Sequence, residues 1–273
     1  MICPLRSRRL FVAALVLASA LAPAASRAQG PSRGGRFELS GDFLVEVAGK
    51  PSPKATLYQS PTLRSYLVIA PELTSPVLIS AASGQIERLD LMKVARQEGF
   101  VDLLPEATLA LEGPWKMEGE NLVFQVGGKS VRLTPRAWLL GLHTGADLLE
   151  HDPGYGRKAA LFTPISDVVA RVRSTKADVR VLAFFGSWCP HCKEHLPALL
   201  KVEQALKGST LRFDYYGVPS PFNKEPEATK WEVKGVPTAI VIIGGKEAGR
   251  IVGTQWGSPE TAIYDLLKKA NAL

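Results

Sequence analysis

Apolar positions between residues 37 and 150 fall in short β-branched or aromatic runs broken by Pro, Ser and Gly, a pattern of strands more than of helices. The runs at Phe43–Val47, Ser65–Ile69 and 76–80 are predicted strands. Asp90 is placed to cap a short helix ending at Gln97, with Gly99 just beyond it. Residues 122–126 and 129–134 are joined by Gly127-Gly128 and predict a tight hairpin, because glycine reaches positive φ at little steric cost. A helix over 136–150 is expected next, and His151-Asp152-Pro153-Gly154-Tyr155-Gly156 reads as a linker.

Beyond residue 157 the pattern becomes a regular exchange of strand and helix. Residues 165–173 predict a helix with Ser166 as its cap, and Val179–Phe185 is an almost continuous apolar run, as in a strand buried on both faces. The next helix opens near Cys189 and carries Leu196, Leu199, Leu200, Val202 and Leu206 on roughly one face. A strand over 211–218 and a short helix over 225–231 follow. Residues 238–243 and 249–252 make a hairpin about Gly244-Gly245, and a helix over 260–270 starts with Ser258 as cap and Pro259 at its first position.

With 46% hydrophobic and 22% charged residues among 273, the chain has the composition of a globular protein with room for two cores. Its first 28 residues read differently. Arg6, Arg8 and Arg9 precede an acid-free apolar stretch from Leu10 to Ala22 and then Ser26-Arg27-Ala28, which predicts a secretory leader cleaved after Ala28. That stretch is short for a bilayer, so no stable span is expected once the leader is removed. Ser7-Arg8-Arg9-Leu10-Phe11-Val12 also resembles the twin-arginine export signal. Periplasm or secretion is the expected location, with a Gly-rich mobile start over 29–36. Removing four leader arginines lowers the net charge from +7 to +3, and no Lys/Arg run with interleaved aromatics remains, so nucleic acid is not an expected partner.

Cys3 lies in the leader, leaving Cys189 and Cys192 as the cysteines of the exported chain. They stand in Trp188-Cys189-Pro190-His191-Cys192, between an apolar run and an amphipathic one. Disulfide staples in an exported domain would come as several pairs; a single Cys-x-x-Cys at a strand-to-helix junction suits dithiol exchange.

This order of elements resembles the thioredoxin fold over about residues 157–273. Pro197, five residues after Cys192, matches the kinking proline of that family's active-site helix. Gly235-Val236-Pro237-Thr238 matches its cis-proline loop, and Gly253 a glycine after its last strand. The expected architecture is an α/β thioredoxin fold, a mixed central sheet flanked by helices, preceded by a β-rich α+β domain over 37–150 that resembles no recognised family. Pro190-His191 and Val236 are similar to DsbA-type oxidants, whereas Phe184-Phe185-Gly186-Ser187-Trp188-Cys189 and the short interval before Pro237 are similar to compact thioredoxins and TlpA-like periplasmic reductases. The resemblance implies disulfide exchange with cysteine-containing protein substrates and a separate redox partner, without a cofactor, and leaves the direction of electron flow open.

A cysteine at a helix N-terminus meets unpaired N–H groups and the positive end of the helix dipole, both of which favour the thiolate. Cys189 is therefore the expected exposed nucleophile and Cys192 the resolving thiol. A fall of the Cys189 pKa to about 4.5 would stabilise the reduced form by roughly 3.4 kcal/mol at pH 7, or about 70 mV toward an oxidising potential. Pro190 suits the first helical position, His191 adds a donor beside the sulfur, and Trp188 shields one side of the dithiol. Pro237 in the cis form would hold the Val236 backbone opposite the sulfurs, where a substrate peptide could pair with it. The buried aspartate of thioredoxins is replaced by Ala183, and His195, one turn after Cys192, is the titratable candidate for its role.

Two other readings are carried. Cys189, Cys192 and His195 could ligate copper or zinc, but His143 and His151 are expected in the other domain and no metal is expected. Alternatively, the N-terminal domain is a chaperone or binding module and the dithiol is incidental. Asp42, Glu46, Glu72, Glu87 and Asp90 read as solvated faces. A β-rich domain, a linker and a thioredoxin domain is also the layout of dimeric disulfide isomerases, which implies a homodimer.

Overall fold

The computed structural model describes residues 35–273; the expected leader and residues 29–34 lie outside the described residues. Strand alternation organises the first part of the chain. Eight antiparallel strands form one sheet, with Gly35–Ser40 between Thr56–Ser60 and Phe100–Leu103. Gly35 and Arg36, expected in a mobile start, are thus paired, opposite Leu103 and Asp102. A second sheet of five strands contains the Asn121–Val126 and Lys129–Pro135 hairpin, with Gly127 and Gly128 both at positive φ. Leu57, Val68, Val77 and Ile79 of the larger sheet pack with Val45, Phe124 and Leu133 of the smaller. Their neighbours Tyr58, Leu67 and Leu78 turn to a second core with Phe37, Leu89 and Val101, as a two-residue period requires.

Three expectations change here. The helix after Asp90 is a single 3₁₀ turn, Leu91–Lys93, followed by the strand Val94–Gln97. Asp90 does accept the Met92 N–H, but Val94 is drawn into the second core by pairing with Phe100–Leu103. Glu87 is buried and accepts the Thr108 hydroxyl, so it is not a solvated acid. Asp42 pairs with Lys193.

The segment 136–161 belongs with the second part of the chain. In place of a helix over 136–150, residues 136–140 run irregularly to the strand Gly141–His143, and α1 (Gly145–His151) starts only at the capping box of Thr144 and Asp147. The expected linker 151–156 is helical: Asp152 accepts the Gly154 N–H and caps α2 (Pro153–Leu161), with Pro153 at the first position. A Cβ on Gly41 would lie 2.8 Å from the Asp152 Cα, so the α1–α2 corner is fitted closely against the N-terminal sheet.

The third sheet runs Gly141–His143, Leu211–Gly217, Val179–Phe185, Thr238–Ile243, Lys246–Ile251. Val179–Phe185 is central, parallel to Leu211–Gly217 and antiparallel to Thr238–Ile243. One face of it packs against α3 (Ser166–Ser174), α4 (Pro190–Ala205) and α6 (Pro259–Lys269), through Val181, Ala183 and Phe185. Leu182 and Phe184 fill the other, under α5 (Pro226–Lys230). Ser166 is the first residue of α3 and not its cap; the buried Glu260 of α6 accepts the Ile165 N–H at 3.1 Å instead. No helix among the described residues is long and apolar enough to cross a membrane.

Candidate active site

The central strand ends at Phe185, and Gly186-Ser187-Trp188 turns the chain so that Cys189 becomes the N-cap of α4 with Pro190 at the first position. Gly186 is required locally, because a Cβ there would fall 2.5 Å from the Trp188 indole. That indole donates to the Val218 carbonyl at 2.9 Å. Both cysteines are free thiols. Cys189 retains 5% exposure, less than its expected role as an exposed nucleophile suggests, and Cys192 retains none.

The two sulfurs have opposite environments. Cys189 is lowered from 9.0 to about 6, first by the hydrogen bond from the Cys192 thiol and then, against the cost of burial, by the Cys192 and His191 backbone N–H groups and the charge of His191. Burial pushes Cys192 far up, and its hydrogen bond to Cys189 pushes the same way; only the Gly186 N–H, 3.4 Å from its sulfur, opposes them. One thiol is thus held ready as a thiolate by the proton of the other.

The Val236–Pro237 peptide bond is cis, and the Val236 carbonyl lies 3.7 Å from the Cys189 sulfur. Trp256 fixes this loop by donating to the Pro237 carbonyl at 3.2 Å. His191, His195, Val236, Pro237 and Trp256 line a groove of about 600 Å³ beside the dithiol. His195 stacks on Trp256, with ring centroids 6.4 Å apart. The structure therefore gathers Trp188, Cys189, Pro190, His191, Cys192, Val236 and Pro237 about one site and puts His195 on the wall of the groove. Among the described residues no group of three or more His, Cys, Asp or Glu is assembled to hold a metal ion.

Two neighbours escaped the sequence reading. Trp138 stands 6.3 Å from Trp188, and Tyr155 shares the buried cluster of Cys189 and Cys192. Both come from the segment taken as helix and linker, where no periodicity marked an inward position.

A dithiol of unequal acidity, capping a helix beside a cis-proline loop on a mixed sheet, defines a thiol–disulfide exchange site. The thioredoxin family model matches residues 167–269. Thioredoxin from Staphylococcus aureus is 31% identical over 111 residues, which is 37% of this chain and 98% of that protein. The chain belongs to the thioredoxin family. Among solved structures, oxidized mitochondrial thioredoxin 3 from Saccharomyces cerevisiae is 26% identical, covering 40% of this chain and 98% of that one with a TM-score of 0.28. A Pseudomonas aeruginosa protein of unknown function is 14% identical, covering 43% and 84%, with a TM-score of 0.35. Fold and family together support thiol–disulfide oxidoreductase activity in general.

Proposed function

We propose that this protein exchanges disulfides with cysteine-containing proteins outside the cytoplasm, working on the reducing or isomerising side and not as a strong oxidant. The observation that carries the reading is the asymmetric pair, Cys189 at about 6 beside a deeply protonated Cys192. At pH 7 Cys189 is mostly thiolate and attacks a substrate disulfide, forming a bond to one substrate sulfur while the other leaves with the electron pair. Cys192 then loses its proton and attacks Cys189, forming the Cys189–Cys192 bond and releasing the second substrate thiol. A separate reductant must restore the dithiol.

Magnitude argues for the direction. A thiol lowered from 9.0 to about 6 stabilises the reduced form at pH 7 by about 1.4 kcal/mol. That corresponds to about 30 mV, whereas roughly 150 mV separates thioredoxin from DsbA. Export is supported by the Arg6, Arg8, Arg9 and Ser26-Arg27-Ala28 pattern.

Equilibration with a glutathione series tests this reading. A potential near −270 mV is expected, and one near −120 mV would replace it with the oxidant that Pro190-His191 suggests. Cys192→Ala should trap substrate on Cys189; absence of any trapped mixed disulfide would remove the exchange mechanism itself.

A further inference from the structure

Cys192 attacks only as a thiolate, so the proton that its burial holds in place needs a way out. The central strand offers none: Val179–Phe185 contains no acid, and Ala183 is fully buried. His195 is engaged with Trp256 on the groove wall.

Another element supplies the missing polar groups. α2 packs along α4 and brings Tyr155 into the cluster that holds both cysteines. Tyr155 is 2% exposed, and its hydroxyl has no hydrogen-bond partner. Buried hydroxyls are ordinarily paired, so an orphaned one beside a redox centre asks for a role. Tyr155 also lines a cavity of about 270 Å³ together with Asp152, Pro190 and Lys193, and a volume of that size admits water. Asp152 is 5% exposed, and Lys193 reaches its carboxylate at 3.9 Å while pairing with Asp42.

We propose that the Tyr155 hydroxyl, backed by the Asp152 carboxylate, is the proton relay of Cys192. The inference rests on the reading above that Cys192 resolves the mixed disulfide. In the substrate-reducing direction, the Cys192 proton passes to the Tyr155 oxygen as the hydroxyl gives its own proton, by way of water in the cavity that both residues line, to the Asp152 carboxylate. The Cys192 thiolate then attacks the Cys189 sulfur. The Cys189–Cys192 bond forms, and the bond from Cys189 to the substrate sulfur breaks with its electron pair on the substrate. The reverse reaction returns the proton by the same route.

The surrounding charges suit this role. Burial first, then the charges of Cys192, Asp152, Cys189 and Asp42, keep Tyr155 protonated well above the usual tyrosine range, so it passes a proton on and stores no charge. Burial raises Asp152 above the usual carboxylate range, with Lys193 and the Gly154 N–H opposing and Asp42 adding to the rise. Glu38 of the N-terminal sheet, Lys158 of α2 and Glu194 of α4 also face the cavity, and Lys158 binds both of these carboxylates.

The test is stopped-flow reaction of the reduced full-length protein with dithiobis(nitrobenzoate). Attack by Cys189 releases the first aromatic thiolate, and attack by Cys192 releases the second. In Tyr155→Phe the first phase and its pH midpoint should be unchanged, and the second should slow about a hundredfold, the lower end of what a positioned acid–base group contributes. Its pH profile should also move upward. Asp152→Asn keeps a good helix cap and should act in the same direction. An unchanged second phase in Tyr155→Phe overturns the relay, and so does equal slowing of both phases, which marks a packing role. If the wild type itself shows no second phase, the reading of Cys192 as resolving thiol fails instead.

Discussion

Lys193, the residue after the buried thiol, forms an ion pair with Asp42 in the turn between the first two strands of the N-terminal region. Its ammonium also lies 3.9 Å from the Asp152 carboxylate, so one cation holds two partly or fully buried acids together. Lys193→Met should therefore destabilise the protein by about 3 kcal/mol, because removing one partner leaves uncompensated charge in a site of low polarity. Asp42→Asn removes one of the two acids and should cost less, about 1 kcal/mol. Urea unfolding measures both; a loss below about 0.5 kcal/mol for Lys193→Met would contradict this account.

Thiolate absorbance of the reduced protein should titrate with a midpoint of about 6. The hydrogen bond from the Cys192 thiol is the largest cause, so Cys192→Ala should raise that midpoint by about a unit or more. The sign for stability follows from a depressed pKa. The contribution of Cys189 to the folded, reduced state is complete above 9.0 and is lost as the pH falls through about 6.

Gly186→Ala places a methyl group 2.5 to 2.8 Å from the atoms of the Trp188 indole, which is itself tied to Val218. The indole must move. We expect a cost of about 1–3 kcal/mol and a shifted tryptophan emission, and an unchanged spectrum would show that the ring was never held there.

Glu260 is 1% exposed, with one oxygen on the Ile165 N–H and the other without a partner. Glu260→Gln preserves the acceptor and should leave thermal stability unchanged or slightly higher. Glu260→Ala removes the acceptor from the start of α3 and should cost about 1–2 kcal/mol. Equal melting temperatures for Glu260→Ala and the wild type would show that α3 does not depend on this cap.

The parts of the structure that sequence patterning reached are those fixed by local rules. The Val179–Phe185 run reads as a strand buried on both faces because its apolar residues serve two cores. The Gly127-Gly128 and Gly244-Gly245 turns are legible because all four glycines occupy positive φ. Cys189 and Pro190 announce a helix start by themselves. What stayed hidden was set by distant partners. The 136–140 segment is held by the Leu139 N–H on the Ser187 hydroxyl, and by Gly217, where a Cβ would come within 2.1 Å of the Leu139 carbonyl. Asp152 looked like a turn residue in a Pro-Gly stretch; its burial comes from Gly41, more than a hundred residues earlier. Tyr155 was invisible for the same reason.

The edge strand Gly141–His143 carries a consequence for how this protein can be divided. It pairs with Tyr215, Tyr216 and Gly217, and the two helices after it complete the packing around the cysteines. A piece cut to begin at residue 157 would keep the whole family-matched stretch and yet strip the sheet of its border. It would also lose Asp152 and the buried Tyr155 ring that shares the cluster of the two cysteines. Such a fragment would still hold its two cysteines, but with a bare strand flank inviting self-association and nothing in the pit beside them.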